Sequence, residues 1–124
     1  MANEKILLVD DEENLLMLYK QELLDEGYQV VTAGDAREGI EKIKSEELDV
    51  VIMDIRMPAM DGLEAIGKIL GLKKDIPIIL NSAYSTYKED FMSWAADAYV
   101  VKSSDLTQLK NTIRVVLDKK KSPS

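Results

Sequence analysis

Acidic residues follow two apolar runs of this sequence, at positions where they could bind a cation and a phosphoryl group. Asp10 and Asp11 come directly after Lys5–Val9, and Asp54 comes directly after Val50–Met53. Carboxylate oxygens without nitrogen or sulfur ligands suit Mg²⁺, which leaves positions for phosphate oxygens, and Mn²⁺ could substitute. A carboxylate beside such a cation can attack a phosphoryl group, because the cation offsets the charge that repels the donor.

Two further apolar runs end in residues that could contact the same phosphoryl group. Asn81 and Ser82 follow Ile76–Leu80, and Lys102 follows Ala98–Val101. A serine hydroxyl and a lysine ammonium can both hold phosphoryl oxygens. The sequence therefore places acids, a hydroxyl and a cation at the ends of apolar runs.

Each of these residues has a simpler explanation when it is considered alone. Asp10 or Asp11 could cap the helix that follows, and Asp54 could be a turn residue. Lys102 could be an exposed strand end. Their joint position at the ends of three strands, in one order, favours a functional site.

The elements that must position these residues alternate between strands and helices. Five runs rich in Val and Ile have the length of strands: Lys5–Val9, Tyr28–Thr32, Val50–Met53, Ile76–Leu80 and Ala98–Val101. Between and after them apolar residues recur at helical spacing, in the sets Leu16, Tyr19, Leu23; Ala36, Ile40, Ile43; Ile66, Ile69, Leu70; and Leu106, Leu109, Ile113. This pattern predicts an α/β fold with a doubly wound, five-stranded parallel sheet, in which ligands bind at the carboxyl ends of the strands.

Residues typical of helix ends agree with these boundaries. Asp35 and Ser104 stand where helix N-caps are expected, and Gly27 stands where a left-handed residue would end the first helix. One domain over residues 1–118 is expected, followed by a polar tail over 119–124. The lysines at 119–121 are more simply explained as cations that complete the last helix.

Composition excludes several classes of function. The 124 residues contain neither Cys nor His, so disulfides, thiolate sites and the usual zinc ligands are excluded. The net charge of −7 argues against direct binding to nucleic acid. Because no apolar run is long enough to span a bilayer, no membrane association is expected, and a cytoplasmic location is predicted.

Four segments together resemble the signature of response regulator receiver domains of two-component signalling, such as chemotaxis regulators. They are Val9–Glu12, Met53–Pro58 with Asp61–Gly62, Ser82–Ala83, and Tyr99–Lys102. The resemblance covers nearly the whole chain. It implies a flavodoxin-like (βα)5 fold with strand order 2-1-3-4-5.

The resemblance also implies a role for each matching site residue. Asp54 corresponds to the phosphoacceptor, Asp11 to a direct metal ligand, and Asp10 to a ligand that acts through water. The backbone carbonyl of Arg56 corresponds to a third metal contact. Lys102 would contact the phosphoryl group.

Two residues match the positions that transmit phosphorylation in this family. Ser82 corresponds to the hydroxyl residue that moves toward the phosphoryl group, and Tyr99 to the aromatic residue that turns inward in response. The surface around the fourth helix and fifth strand would then change. Tyr84 and Arg56 flank the expected phosphoryl position, and we predict that they tune hydrolysis.

The resemblance implies a signalling switch rather than a conventional enzyme, although the domain would catalyse its own phosphorylation and dephosphorylation. A histidine kinase or phosphotransfer protein would supply the phosphoryl group, and a protein would be the output target. The chain is expected to be a monomer or a weak homodimer. A stand-alone switch is the first interpretation, and the alternative is a receiver domain cut from a longer DNA-binding transcription regulator.

Two other classes of protein fit the sequence less well. A phosphatase of the haloacid-dehalogenase kind would need an acid two residues after the nucleophile, where this chain has Arg56. A nucleotide- or flavin-binding protein would be favoured by G-x-x-x-x-G-K-[ST] or G-x-G-x-x-G, and neither motif occurs.

Overall fold

Five parallel strands form one sheet in the computed structural model, which describes residues 4–54, 76–82, 97–102 and 105–121. The strands are β1 (Lys5–Val9), β2 (Gln29–Ala33), β3 (Val50–Met53), β4 (Ile78–Ser82) and β5 (Ala98–Val101). Their order in the sheet is β2-β1-β3-β4-β5, and every neighbouring pair is parallel. The predicted α/β fold and the flavodoxin-like strand order are therefore confirmed.

Three helices lie within the described residues: α1 (Glu13–Asp25), α2 (Ala36–Ser45) and a C-terminal helix (Thr107–Lys121). The helical segment predicted around Ile66–Leu70 lies outside these residues, as does the fourth helix that the (βα)5 resemblance implies between β4 and β5. The C-terminal helix includes residues 119–121, and the predicted domain bounds remain a prediction. Among the described residues, no helix combines the length and the apolar character that a membrane crossing requires.

Two strands begin later than the apolar pattern predicted. β2 begins at Gln29 rather than Tyr28, because the Tyr28 backbone N–H donates to the Leu23 carbonyl and so belongs to the end of α1. β4 begins at Ile78 rather than Ile76, after Pro77, which has no backbone N–H to donate to a neighbouring strand. In both cases a buried apolar residue precedes the strand, so an apolar run can begin before the strand itself does.

The core is divided by the sheet into two apolar clusters. Alternate strand residues such as Val9 and Met53 pack with Ile40 and Ile43 of α2. The intervening strand residues pack with α1 and the C-terminal helix, in a cluster that includes Leu8, Ile52, Tyr19, Leu23 and Ile113. Because successive side chains of a strand point to opposite faces, this division is what a sheet covered on both sides requires.

The predicted helix ends at Asp35 and Gly27 are confirmed. The Asp35 side chain accepts a hydrogen bond of 2.8 Å from the Glu38 backbone N–H, which caps α2. Gly27 has φ of 96°, and its N–H donates to the Leu24 carbonyl at 3.0 Å. Only glycine adopts this left-handed conformation without strain, so α1 ends here. Ser104 lies outside the described residues.

Ion pairs hold the C-terminal helix to the rest of the domain. Lys110 lies 2.8 Å from Glu22 of α1, and Arg114 lies 2.9 Å from Glu4, which precedes β1 and is buried. These contacts join residues that are far apart in sequence. The C-terminal helix is therefore held by these ion pairs as well as by the packing of its apolar face.

Candidate metal and phosphoryl site

The sheet ladder positions two acids at neighbouring strand ends. The Asp10 N–H donates to the Ala33 carbonyl at 3.1 Å, and the Asp54 N–H donates to the Val9 carbonyl at 2.9 Å. Asp10 follows Leu8 by two residues, and Asp54 follows Ile52 by two residues. Because Leu8 and Ile52 belong to the cluster packed on α1, the side chains of both acids lie on that face of the sheet. Parallel pairing of β1 with β3 thus brings Asp10 and Asp54 to one edge.

Lys102, which directly follows β5, bridges these two acids. Its Nζ lies 2.8 Å from Oδ2 of Asp10 and 3.1 Å from Oδ2 of Asp54. Asp54 is only 2% exposed and Asp10 only 5%. The predicted meeting of Asp10, Asp54 and Lys102 at the carboxyl edge of the sheet is therefore observed.

Burial and pairing act in opposite directions on these groups. Burial raises the pKa of Asp10, and the hydrogen bonds from Lys102 and the Glu12 backbone offset that rise only in part. Burial disfavours the Lys102 cation, but its hydrogen bonds to Asp10 and Asp54 outweigh that effect and raise the pKa of Lys102. Lys102 is therefore held in its cationic form by two acids, whereas Asp10 and Asp54 have this one cation between them.

Two exposed acids extend the site toward solvent. Carboxylate oxygens of Asp10, Asp11 and Glu12 lie within 4.8 Å of one another. Oδ1 of Asp10 also accepts the Glu12 backbone N–H at 2.9 Å. The N-cap of α1 is Glu12, and no side chain caps the helix there, so the helix-cap interpretation of Asp10 or Asp11 is wrong. Sequence reasoning gave Glu12 no role. Its position immediately after two acids was the signal that could have included it.

The donor set fits a hard divalent cation. The acids at 10, 11 and 54 with the ammonium at 102 carry a net formal charge of about −2. The side-chain ligands that these three acids offer are carboxylate oxygens, and the buried pair adjoins exposed Asp11, where water can complete a coordination shell. The excess negative charge gives a divalent cation an electrostatic reason to bind.

The remaining predicted site residues are described only in part. Ser82 ends β4, and its backbone pairs with Val101 of β5. Tyr99 pairs with Leu80, is 6% exposed, and packs on the α2 side of the sheet. Arg56 and Tyr84 lie outside the described residues, as does the predicted contact of the Arg56 carbonyl with metal.

Sequence reasoning also passed over the burial of Asn81. This residue directly precedes Ser82 in β4 and is 2% exposed. It lines a small cavity together with Asp10, Asp54 and Tyr19. A polar residue inside a run of Ile and Leu was the signal in the sequence.

Comparison with known sequences identifies a family for most of the chain. The response regulator receiver domain matches residues 6–114. The response regulator ArlR of Staphylococcus aureus is 36% identical over 114 residues, which are 91% of this chain and 52% of ArlR. The chain thus spans about half the length of the curated relatives that it matches.

Solved structures share the fold over almost the whole chain. Response regulator TrrA of Thermotoga maritima, in complex with Mg²⁺-BeF, is 48% identical with a TM-score of 0.86, covering 91% of this chain and 98% of TrrA. TrrA in complex with histidine kinase ThkA gives a TM-score of 0.85, covering 92% and 98%. A CheY-like receiver domain of Methanospirillum hungatei is 32% identical with a TM-score of 0.88, covering 95% and 96%.

The raised pKa of Asp10 predicts how acid affects the metal-free protein. A carboxyl group with a raised folded-state pKa contributes stability that is present below its ordinary value of 3.8 and is lost as pH rises through the folded-state pKa. Asp10→Asn, whose amide oxygen can still accept from Lys102, should therefore gain stability relative to wild type as pH rises from about 3.5 to 7.

Urea unfolding of both proteins at several pH values in EDTA measures this difference. Asp118→Asn, at an exposed position of the C-terminal helix, serves as the control. If the difference in free energy of unfolding between Asp10→Asn and wild type were constant across the pH range, the expectation would be contradicted.

Proposed function

The chain belongs to the response regulator receiver domain family, and we propose that it is a phosphorylation-dependent signalling switch whose phosphoacceptor is Asp54. The observation that carries the proposal is the contact of one ammonium, that of Lys102, with two buried carboxylates at neighbouring strand ends. A purely structural ion pair would need one acid. A second buried acid leaves negative charge that Lys102 does not neutralise. This charge can bind a metal cation and can attack an electrophile.

Mg²⁺ is the cation that the donor set suits best, and Mn²⁺ is a possible substitute. The carboxylates of Asp11 and Asp54 would hold it, with Asp10 acting through water and the Arg56 carbonyl completing the protein ligands. When bound, the cation neutralises charge on the phosphoryl oxygens. The structural relative TrrA has been crystallised with Mg²⁺-BeF, which supports this assignment.

Phosphoryl transfer then requires little more than positioning. A carboxylate oxygen of Asp54 forms the new bond to phosphorus while the bond from phosphorus to the donor nitrogen breaks, and the departing imidazole takes up a proton. Lys102 already lies 3.1 Å from Asp54 and can move its ammonium to a phosphoryl oxygen. The Ser82 hydroxyl would hold another of these oxygens. In this sense the domain catalyses its own phosphorylation and dephosphorylation without being a conventional enzyme.

The proposed output is a change in the surface around β5 and the fourth helix of the (βα)5 fold, which is expected between β4 and β5. Ser82 and Tyr99 lie on neighbouring strands, two residues apart in register, since Ser82 pairs with Val101 and Tyr99 with Leu80. Hydrogen bonds from Ser82 to the phosphoryl group would favour one arrangement of the chain that follows β4. Tyr99 would turn into the space that this rearrangement vacates. The coupling free energy between phosphorylation and this movement would be about 1 to 3 kcal/mol.

The proposed partners are proteins. A histidine kinase or phosphotransfer protein would donate the phosphoryl group, as supported by the complex of TrrA with histidine kinase ThkA. The output target would be a protein rather than nucleic acid, in keeping with the net charge of −7. The proposal includes a cytoplasmic location and a monomer or weak homodimer.

The second candidate is the same switch as the receiver part of a longer DNA-binding regulator. The match to ArlR covers 52% of that protein, which favours this alternative to a stand-alone switch. The two candidates share the chemistry at Asp54 and differ in what the changed surface contacts. The length of the native gene product distinguishes them.

The proposed phosphoacceptor is tested by incubation with phosphoramidate or acetyl phosphate in Mg²⁺. Wild type should gain the mass of one phosphoryl group, and Asp54→Asn should gain none because its amide is not a nucleophile. Chelation of Mg²⁺ by EDTA should reduce labelling at least about a hundredfold. Asp25→Asn, at an exposed position of α1, should label as wild type does. Equal labelling of wild type and Asp54→Asn would refute the proposal.

Tyr84 and Arg56 are proposed to shield the phosphoryl group from water. Replacement of either by alanine should therefore shorten the lifetime of the phosphorylated protein. The lifetime is measured from the loss of the phosphoryl mass after the donor is removed, with Arg37→Ala of α2 as the control. Unchanged lifetimes in Tyr84→Ala and Arg56→Ala would rule out this tuning role.

A further inference from the structure

A buried amide lies at the carboxyl end of β4, among strand residues that are otherwise apolar up to that point. Asn81 follows Ile79 by two residues, and Ile79 packs with Leu8 and Ile52 on the α1 side of the sheet. Alternation along the strand gives Asn81 the same face. Asp10 and Asp54 come two residues after Leu8 and Ile52, so all three polar side chains share this face of the sheet.

Asn81 and the two acids also line a common cavity. Asn81, Asp10 and Asp54 border a space of about 10 Å³, which is closed on the helix side by Leu16 and Tyr19 of α1. Such a volume leaves room for no more than about one water molecule between the amide and the carboxylates. A hydrogen bond between the Asn81 amide and one of the carboxylates would therefore be direct or pass through one water.

The chemistry of the three groups defines what Asn81 can contribute. An ionised carboxylate can only accept hydrogen bonds, whereas a side-chain amide supplies two N–H donors. Lys102 contacts Oδ2 of Asp54 from β5. Asn81 adds a neutral donor from β4, which can restrain the rotation of the carboxylate without adding charge.

We propose that Asn81 is a positioning residue that orients the Asp54 carboxylate for attack on the phosphoryl donor. The inference rests on the proposed function, since it concerns the same reaction at Asp54. Correct orientation of a nucleophile raises the rate of the bound complex and leaves the affinity for the donor unchanged. Because Asp54 is also a proposed Mg²⁺ ligand, the effect of Asn81 on the transfer step is measured at saturating Mg²⁺.

Two variants of Asn81 separate this role from a structural one. Asn81→Val removes the donor and suits a buried strand, whereas Asn81→Thr keeps a hydroxyl donor in a side chain of similar size. With phosphoramidate and saturating Mg²⁺, the maximal phosphorylation rate of Asn81→Val should fall about tenfold. Asn81→Thr should remain within about twofold of wild type. At saturating Mg²⁺, the half-saturating donor concentration should not change in either variant.

Ile79→Val is the matched control, because it alters the same face of the same strand away from the carboxylates. It should lower stability and leave the maximal rate at the wild-type value. If wild type and Asn81→Val were phosphorylated at equal rates, the role of Asn81 would be overturned and the proposed function would stand. Equal losses of rate in Asn81→Val and Asn81→Thr would do the same, and absence of any phosphoryl adduct on wild type would overturn the proposed function with it.

Discussion

The contact of the Lys102 ammonium with both Asp10 and Asp54 is the interaction on which the site depends. Two ionised carboxylates about 4 Å apart repel by roughly 4 kcal/mol at an effective dielectric of 20, so a buried pair needs a shared cation. One ammonium offsets one of these charges, and Asp11 adds another acid at the solvent side. The described acids thus carry more negative charge than Lys102 offsets, which favours the proposed divalent cation.

The fold supplies this arrangement through the geometry of parallel strands. β1, β3, β4 and β5 are consecutive in the sheet and point the same way, so the residues that follow them meet at one edge. Alternation of side chains then directs Asp10, Asp54 and Asn81 to the α1 side, while Tyr99 lies on the α2 side. In the proposed switch, a signal would therefore pass from the face of the sheet that holds Asp54 to the face that holds Tyr99. Ser82 at the end of β4 pairs with Val101, two residues along β5 from Tyr99.

Local patterns in the sequence predicted most of the elements that build the site. Runs of Val and Ile, helical spacing, and the caps at Asp35 and Gly27 are properties of neighbouring residues, which is why they could be found without a structure. The contact of Arg114 with buried Glu4 spans 110 positions and depends on how the C-terminal helix packs, so no local pattern reveals it. The cavity that Asn81 shares with the acids likewise exists only once three strands and α1 are assembled.

A titration with Mg²⁺ followed by NMR tests most directly whether the acids act as one cation site. The backbone amide resonances of Asp10, Asp11, Asp54 and Lys102 should shift together, with a single Kd and one ion bound per chain. In Asp11→Asn the same resonances should require at least about ten times more Mg²⁺, because a direct ligand is lost. Shifts that saturate at different Mg²⁺ concentrations, or that bypass Asp54 and Lys102, would contradict a common site.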